Sequence, residues 1–269
     1  MGWLNAQGLT PEGQLVATKD PYLETTVTDW VMHYHCSVMP GSLWHYLVYQ
    51  FFPEHQSFTQ DELISHCTDH FLIESKEALK KSLKLILKTY TKEDAIAKSK
   101  FIILQQKQFS IGHPELSNIY TTSYLLAKFW EQYFPSVSSV LVDRILEHEN
   151  SFCCVLGITQ DLLREQLETL AEHGIIELRS AKPSISGTKP PIKEKHETVY
   201  QVYRCWDSPL ELLERAYEND IATPNRPLSQ SLGAILDDED NSEFLQFLEW
   251  AIAVVSFEGG SNTIVKLAS

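Results

Sequence analysis

Residues 136–206 have the order of helices and strands that is typical of a winged helix-turn-helix, and this order constrains the fold more than any other feature. We expect a first helix over 140–148, followed by a short apolar segment over 152–156. Thr159 can cap a second helix, because its hydroxyl can accept an amide proton from the first turn. The sequence therefore predicts two helices joined by a short connection.

Two strands are predicted after the second helix. Gly174 is well placed to end that helix, because glycine adopts the left-handed conformation at little cost. The segments 175–179 and 198–203 are rich in residues that favour strands, and the long loop between them would form the wing. The cations that could place this wing along phosphates are Arg179, Lys182, Lys189, Lys193 and Lys195.

A second helix-turn-helix pattern lies over 59–90. Thr59 and Glu62 have the spacing of a capping box. The helix that follows is apolar on one face and basic on another, since like charges stand four residues apart. The lysines of this basic face are Lys76, Lys80, Lys84 and Lys88, with Lys81 beside them.

The predicted fold is mainly α-helical, with three parts. A helical domain covers 1–135, in which the segment 3–8 is expected to end a helix and Asp20 to cap the start of another. The winged helix-turn-helix domain with its long β-hairpin wing covers 136–206. A helical extension with an acidic linker covers 207–269.

Positive charge is concentrated in two zones of an acidic chain, whose net charge is −14. Residues 76–100 hold eight lysines against three carboxylates, a net charge of +5, and residues 179–204 have a net charge of +4. The overall charge argues against a protein that simply coats nucleic acid, but two local basic zones indicate contact with a polyanion. The alternative is that both zones are ordinary solvated faces.

The predicted recognition helix is acidic instead. Its outward carboxylates are Asp161, Glu165, Glu168 and Glu172. Phosphate repulsion would oppose base readout by this face, so we expect backbone contact led by the wing. The alternative is that the acidic face binds another protein.

No catalytic or metal site is predicted. The sequence has no nucleophile elbow, phosphate loop or dinucleotide fingerprint. Two histidine and cysteine groups lack the paired spacing of a zinc site, and we expect them to pack among aromatic residues. These groups are His33, His35, Cys36 and His45, and His66, Cys67 and His70. We expect no cofactor, although residues distant in sequence could still assemble an active site.

The five cysteines are odd in number and predict no disulfide framework, and no secretory segment or membrane-spanning stretch is present in the sequence. A cytoplasmic protein is therefore expected.

The N-terminal part resembles a bacterial family called domain of unknown function 4007 (DUF4007). The resemblance is carried by Trp3-Leu4-Asn5-Ala6-Gln7-Gly8-Leu9, by Asp20-Pro21-Tyr22-Leu23-Glu24 and by the aromatic residues from Trp30 to Phe58. Family members usually have a further helix-turn-helix before the Trp-Leu motif, so the resemblance implies either that this sequence starts downstream of the true start, inside a truncated winged-helix unit, or that the chain is a shortened member.

The resemblance implies an association with DNA sulfur modification (phosphorothioation) and other anti-phage genes, with no catalytic residues to carry over. We therefore expect a non-catalytic accessory subunit that binds the DNA backbone weakly and holds a partner protein encoded nearby. The alternative is a protein-interaction module that binds no nucleic acid.

Overall fold

The computed structural model is mainly α-helical, with one two-stranded and two three-stranded antiparallel sheets among the residues that it describes. This confirms the mainly α-helical part of the predicted fold class. The described residues are 3–5, 8–71, 76–91, 100–112, 114, 116, 118–180 and 199–220.

The chain begins with a hairpin, not with the end of a helix. Strands β1 (Leu4–Asn5) and β2 (Gly8–Leu9) pair antiparallel, and helix α1 (Pro11–Lys19) follows. The prediction that residues 3–8 end a helix was wrong, because Leu4 and Asn5 form a strand that pairs with Leu9 and Gly8.

Asp20 ends α1 and does not cap the start of a helix. Its carboxylate accepts hydrogen bonds from the backbone N–H groups of Glu24 and Thr25, at 2.9 and 3.0 Å, and from the hydroxyls of Thr25 and Thr28. Thr25 is the residue that caps helix α2 (Thr26–Ser37). Asp20 therefore fixes the loop that leads into α2, and the prediction of its role was wrong.

Residues 43–111 form a unit with a three-stranded sheet, which we call unit 1. In chain order its elements are α3 (Leu43–Tyr46), a π-helical turn (Leu47–Phe51), α4 (Phe52–Glu54), β3 (Ser57–Thr59), α5 (Gln60–His70), α6 (Lys76–Thr91), β4 (Ile102–Gln105) and β5 (Gln108–Ile111). The strand order is β3-β5-β4. The capping box of Thr59 and Glu62 is confirmed. The sheet was not predicted, so the N-terminal part is not wholly helical.

Residues 119–204 form a second such unit, unit 2. Its elements are α7 (Ile119–Tyr133), β6 (Ser139–Leu141), α8 (Val142–Leu146), α9 (Phe152–Leu156), α10 (Gln160–Glu172), β7 (Ile176–Ser180) and β8 (Val199–Arg204), with strand order β6-β8-β7. The predicted helix over 140–148 is wrong in its first part, because residues 139–141 pair with β8. The cap at Thr159 and the stop at Gly174 are confirmed.

The two units have the same strand order, and in both of them a helix precedes the first strand and the last two strands form a hairpin. The two units share one hydrophobic core with the helices that flank them. Of these flanking helices, α11 (Pro209–Glu218) packs on α7, and α2 packs on α9. Gly157 lies at the contact between the units, since a Cβ there would stand 2.7 Å from the Phe101 ring. The predicted boundaries at residues 135 and 206 stay predictions.

None of the helices in the described ranges is both long enough and apolar enough to cross a membrane. The five cysteines are free. The predicted acidic linker over 237–240 lies outside the described residues.

Candidate nucleic-acid interface

Helix α6 has one buried face and one basic face. Its buried side chains are Leu79, Leu83, Ile86, Leu87 and Tyr90. Burial of this stripe against α5 and β4 fixes the orientation of the helix, because most helical stability in proteins comes from such packing. The opposite side of the helix is thereby directed outward.

The basic side, which we call the α6 lysine face, consists of Lys76, Lys80, Lys81, Lys84 and Lys88. The first four side chains are exposed and Lys88 is half-buried. Among the residues that the structure describes, no carboxylate forms an ion pair with Lys76, Lys80 or Lys84. The structure therefore places these three predicted site residues on one accessible surface with their charge uncompensated by any described carboxylate.

Several other cations have carboxylate partners. Lys19 pairs with Glu214 and Glu218 at 3.4 and 3.2 Å, and Lys128 lies 2.9 Å from Glu131. The remaining pairs are Arg164 with Asp143, Arg179 with Glu177, and Arg215 with Glu211. Lys76, Lys80 and Lys84 thus differ from these cations in the charge that they leave available to a ligand.

Arg179, the first predicted cation of the wing, is already engaged. Its guanidinium donates to both carboxylate oxygens of Glu177, at 2.9 and 3.2 Å, and lies 4.0 Å from the centre of the Tyr203 ring. The hydrogen bonds and charge of Glu177 raise the pKa of Arg179. The other predicted wing cations, Lys182, Lys189, Lys193 and Lys195, lie outside the described residues.

The hairpin of β4 and β5 projects beyond the core. Its five residues from Leu104 to Gln108 are all exposed, whereas Ile102 and Phe109 are buried. Gln105 pairs with Gln108, so Gln106 and Lys107 form a two-residue turn. Gln106 has a φ of 60°, which lies in the left-handed region. Sequence reasoning missed this hairpin.

The exposed face of α10 is acidic, as predicted. Leu163, Leu167 and Leu170 are buried, and the carboxylates on the other side are exposed. These are Asp161, Glu165, Glu168 and Glu172, and none of them forms an ion pair with a described cation. The structure therefore leaves the charge of this predicted protein-binding surface uncompensated by any described cation.

A buried histidine connects α6 to the rest of the molecule. His33 on α2 is fully buried, its Nδ1 lies 2.7 Å from the Tyr90 hydroxyl and its Nε2 lies 2.8 Å from the Val155 carbonyl oxygen. The indole N–H of Trp44 donates to the Tyr90 hydroxyl at 2.6 Å. Because a carbonyl only accepts, Nε2 carries the proton and Nδ1 accepts from Tyr90.

This network needs a neutral imidazole. Burial lowers the pKa of His33 to about 4, an effect that its bond to the Val155 carbonyl only partly opposes. The network joins α6 of unit 1 to α2 and to α9 of unit 2. The sequence predicted that His33 packs among aromatic residues, and its ring lies beside those of Trp30, Tyr90 and Phe101.

A second buried network joins the N-terminal hairpin to α1 and α2. The Glu12 carboxylate accepts hydrogen bonds from the Trp3 indole at 2.9 Å and from His35. Burial alone would raise the pKa of Glu12, but the hydrogen bond and charge of His35 outweigh it and hold this pKa below its ordinary value. His35 is thus part of a structural network.

The other predicted metal candidates also have structural contacts. His45 bonds the Ser37 carbonyl oxygen at 2.8 Å, and His70 stacks on Tyr46 with ring centres 4.1 Å apart. No group of three or more histidine, cysteine or acidic residues among the described residues could hold a metal ion. Burial raises the pKa of the Cys36 and Cys154 thiols to about 11, which disfavours the nucleophilic thiolate.

The family model described as "Protein of unknown function (DUF4007)" matches residues 5–203. Two solved structures have a similar fold, titled "SspB crystal structure" and "Magnesium ion-bound SspB crystal structure". The first is 13% identical, with a TM-score of 0.57, and the match covers 87% of this chain and 71% of that one. The second is 15% identical, with a TM-score of 0.59 and coverages of 88% and 73%. No curated protein matches the chain.

Proposed function

We propose that this chain, which belongs to the DUF4007 family, binds the backbone of DNA with low sequence specificity and holds a partner protein there. In this proposal it is a non-catalytic accessory subunit of a bacterial DNA-modification or anti-phage system. The genetic context is the one that the family resemblance implies.

The observation that carries the proposal is the α6 lysine face. Lys76, Lys80 and Lys84 are exposed and have no ion-pair partner among the described carboxylates, whereas Lys19, Lys128 and Arg215 do. Lysines that repel one another along a helix lower its stability by a few tenths of a kcal/mol per pair. A phosphate backbone would compensate this repulsion and release its own counterions, which gives a favourable, sequence-independent binding free energy.

We infer further that unit 2 is the winged helix-turn-helix domain expected over 136–206. Its order of strands and helices supports this assignment, with α10 as the third helix. The loop of the predicted wing, residues 181–198, lies outside the described residues. The carboxylates on the outer face of α10 would repel the phosphates that border a DNA groove. In this unit we therefore propose that α10 contacts the partner protein and that the predicted basic wing makes additional phosphate contacts.

The proposal predicts a duplex affinity that depends steeply on salt. With a fluorescent 30-base-pair duplex of mixed sequence, anisotropy at 50 mM salt should reveal a complex. If about five phosphates are neutralised, the affinity falls about 500-fold between 50 and 200 mM salt. The absence of any complex at 20 mM salt would overturn the DNA-binding part of the proposal.

A pure protein-interaction module is the second candidate, and the unneutralised carboxylates of α10 favour it. Reversing the charge of Glu165, Glu168 and Glu172 to lysine is then expected to abolish co-purification with the product of a neighbouring gene. A matched variant with Glu54, Glu147 and Glu149 changed to lysine, which are also exposed, should retain the partner. Full retention by the α10 variant would exclude α10 as the contact.

A further inference from the structure

The β4–β5 hairpin ends in an exposed two-residue turn, Gln106 and Lys107, which lies beyond the last paired residues, Gln105 and Gln108. Residues 104–108 are exposed and contribute nothing to the core. The side chains at and beside the turn are polar: Gln105, Gln106, Lys107 and Gln108. Leu104, which precedes them, is 45% exposed.

The turn itself holds a strained residue. Gln106 stands at the first central position of a two-residue turn with a φ of 60°, where glycine would fit without strain. A non-glycine residue in this conformation lowers the stability of the fold, and such strain is often found where the side chain has a function. The Gln106 side chain is exposed and has an amide that can both donate and accept hydrogen bonds.

The topology sets the hairpin next to the basic helix. Helix α6 packs against β4, the first strand of the hairpin, and Thr59 at the start of α5 pairs with Gln108. Unit 1 also has the strand order of unit 2, so α6 occupies the place of α10 and the β4–β5 turn occupies the place of the wing. The helix in this place is basic in unit 1 and acidic in unit 2.

We propose that unit 1 is a second winged unit and that it binds double-stranded nucleic acid. The α6 lysine face lies along the phosphates that border a groove, and the tip of the hairpin contacts the adjacent strand. Lys107 meets a phosphate there, and the Gln106 amide bonds sugar or base-edge atoms. This inference rests on the proposed function and names the form of nucleic acid that the same surface takes.

A duplex fits the surface better than a single strand does. Proteins that bind single strands stack the bases on exposed aromatic side chains. Among the described residues, the exposed large apolar side chains include one aromatic, Tyr22, and it lies in the turn after α1. A helix and a projecting hairpin are instead two separate contacts, which match the two backbones and the groove of a duplex.

The test replaces Gln106 by glycine, which removes the side chain and also the strain. We expect the midpoint of thermal unfolding to stay equal or rise by about 2 °C, while the duplex affinity falls about fivefold or more. Leu23→Gly is the matched control, because Leu23 also has a positive φ of 56° and an exposed side chain, but lies outside unit 1. It should show the same gain in thermal stability and an unchanged duplex affinity.

The duplex affinity of a Lys107→Gln variant is measured in the same way. In addition, each protein is titrated with a single strand of the same sequence as the duplex. The wild-type chain should prefer the duplex at least tenfold, and both hairpin variants should reduce that preference. If the chain binds duplex but Q106G and K107Q bind it as the wild type does, the role of the hairpin is overturned and the role of α6 stands. If the chain binds the single strand as tightly as the duplex, the inference also fails. If neither form binds, the proposed function fails with it.

Discussion

Replacing Lys76, Lys80 and Lys84 by glutamate is expected to lower the affinity for duplex DNA about a thousandfold or more at 50 mM salt. Each contact between a lysine and a phosphate releases about 0.9 counterions. The loss of three contacts alone therefore lowers the duplex binding constant by about three orders of magnitude at 50 mM salt. Repulsion by the new carboxylates adds to the loss. Fluorescence anisotropy with the wild-type protein as reference measures the effect.

The fold should survive this change, because the three side chains are exposed and contribute nothing to the buried stripe of α6. The control reverses the same total charge at Lys19, Arg164 and Arg215, which have carboxylate partners. The control should lose only a few-fold in affinity. An equal loss in the two variants would mean that net charge alone determines binding, and the proposal of a specific surface would be wrong.

Stability is expected to fall as the pH is lowered from 6.5 toward 4, and His33 should be responsible. The unfolded chain takes up a proton on this histidine near pH 6.5, whereas the buried side chain resists protonation down to about pH 4. The unfolded state therefore binds more protons in this window, and the free energy of unfolding decreases by about 1.4 kcal/mol per pH unit. Between pH 6.5 and 4.5 the loss is about 2 kcal/mol, because the unfolded histidine is only half protonated at pH 6.5.

A His33→Gln variant separates this effect from other titrations. It should be about 2–4 kcal/mol less stable at pH 7, because the Tyr90 hydroxyl and the Val155 carbonyl lose their partner. Its stability should, however, be nearly independent of pH in the same window. Urea unfolding at pH 7, 6, 5 and 4.5 measures both, with His173→Gln as an exposed control. A slope in H33Q equal to that of the wild type would contradict the assignment.

Local patterns in the sequence predicted the helices well. The capping box at Thr59 and Glu62 and the cap at Thr159 involve residues three apart, so the sequence contains the whole interaction. The lysines of α6 were also predicted to share a face, since four-residue spacing suffices for this. These features needed no knowledge of the distant chain.

The strands were harder to predict, because they are short and depend on pairing. The three residues of β3 pair with a strand about fifty residues later. The turn between β4 and β5 has glutamine at position 106, where a two-residue turn usually has glycine or asparagine.

The role of Asp20 was also predicted wrongly from a local pattern. An Asp-Pro pair is typical of a helix start, but here the carboxylate bonds the loop before α2.

The centre of the molecule could not be predicted from local patterns at all. His33 meets Tyr90, 57 residues away, and Val155, 122 residues away. Counting charges along the sequence gave both zones similar weight. Of the predicted wing cations the structure describes Arg179, whose charge is compensated by Glu177 on the same strand.

Lysine protection is the most direct measurement of which surface contacts DNA. The protein is acetylated at low salt, free and saturated with duplex, and the modification of each lysine is quantified by mass spectrometry. Lys76, Lys80 and Lys84 should be strongly protected by the duplex, with Lys19 and Lys128 unchanged. Equal acetylation of the α6 lysines in the free and the saturated protein would contradict the account.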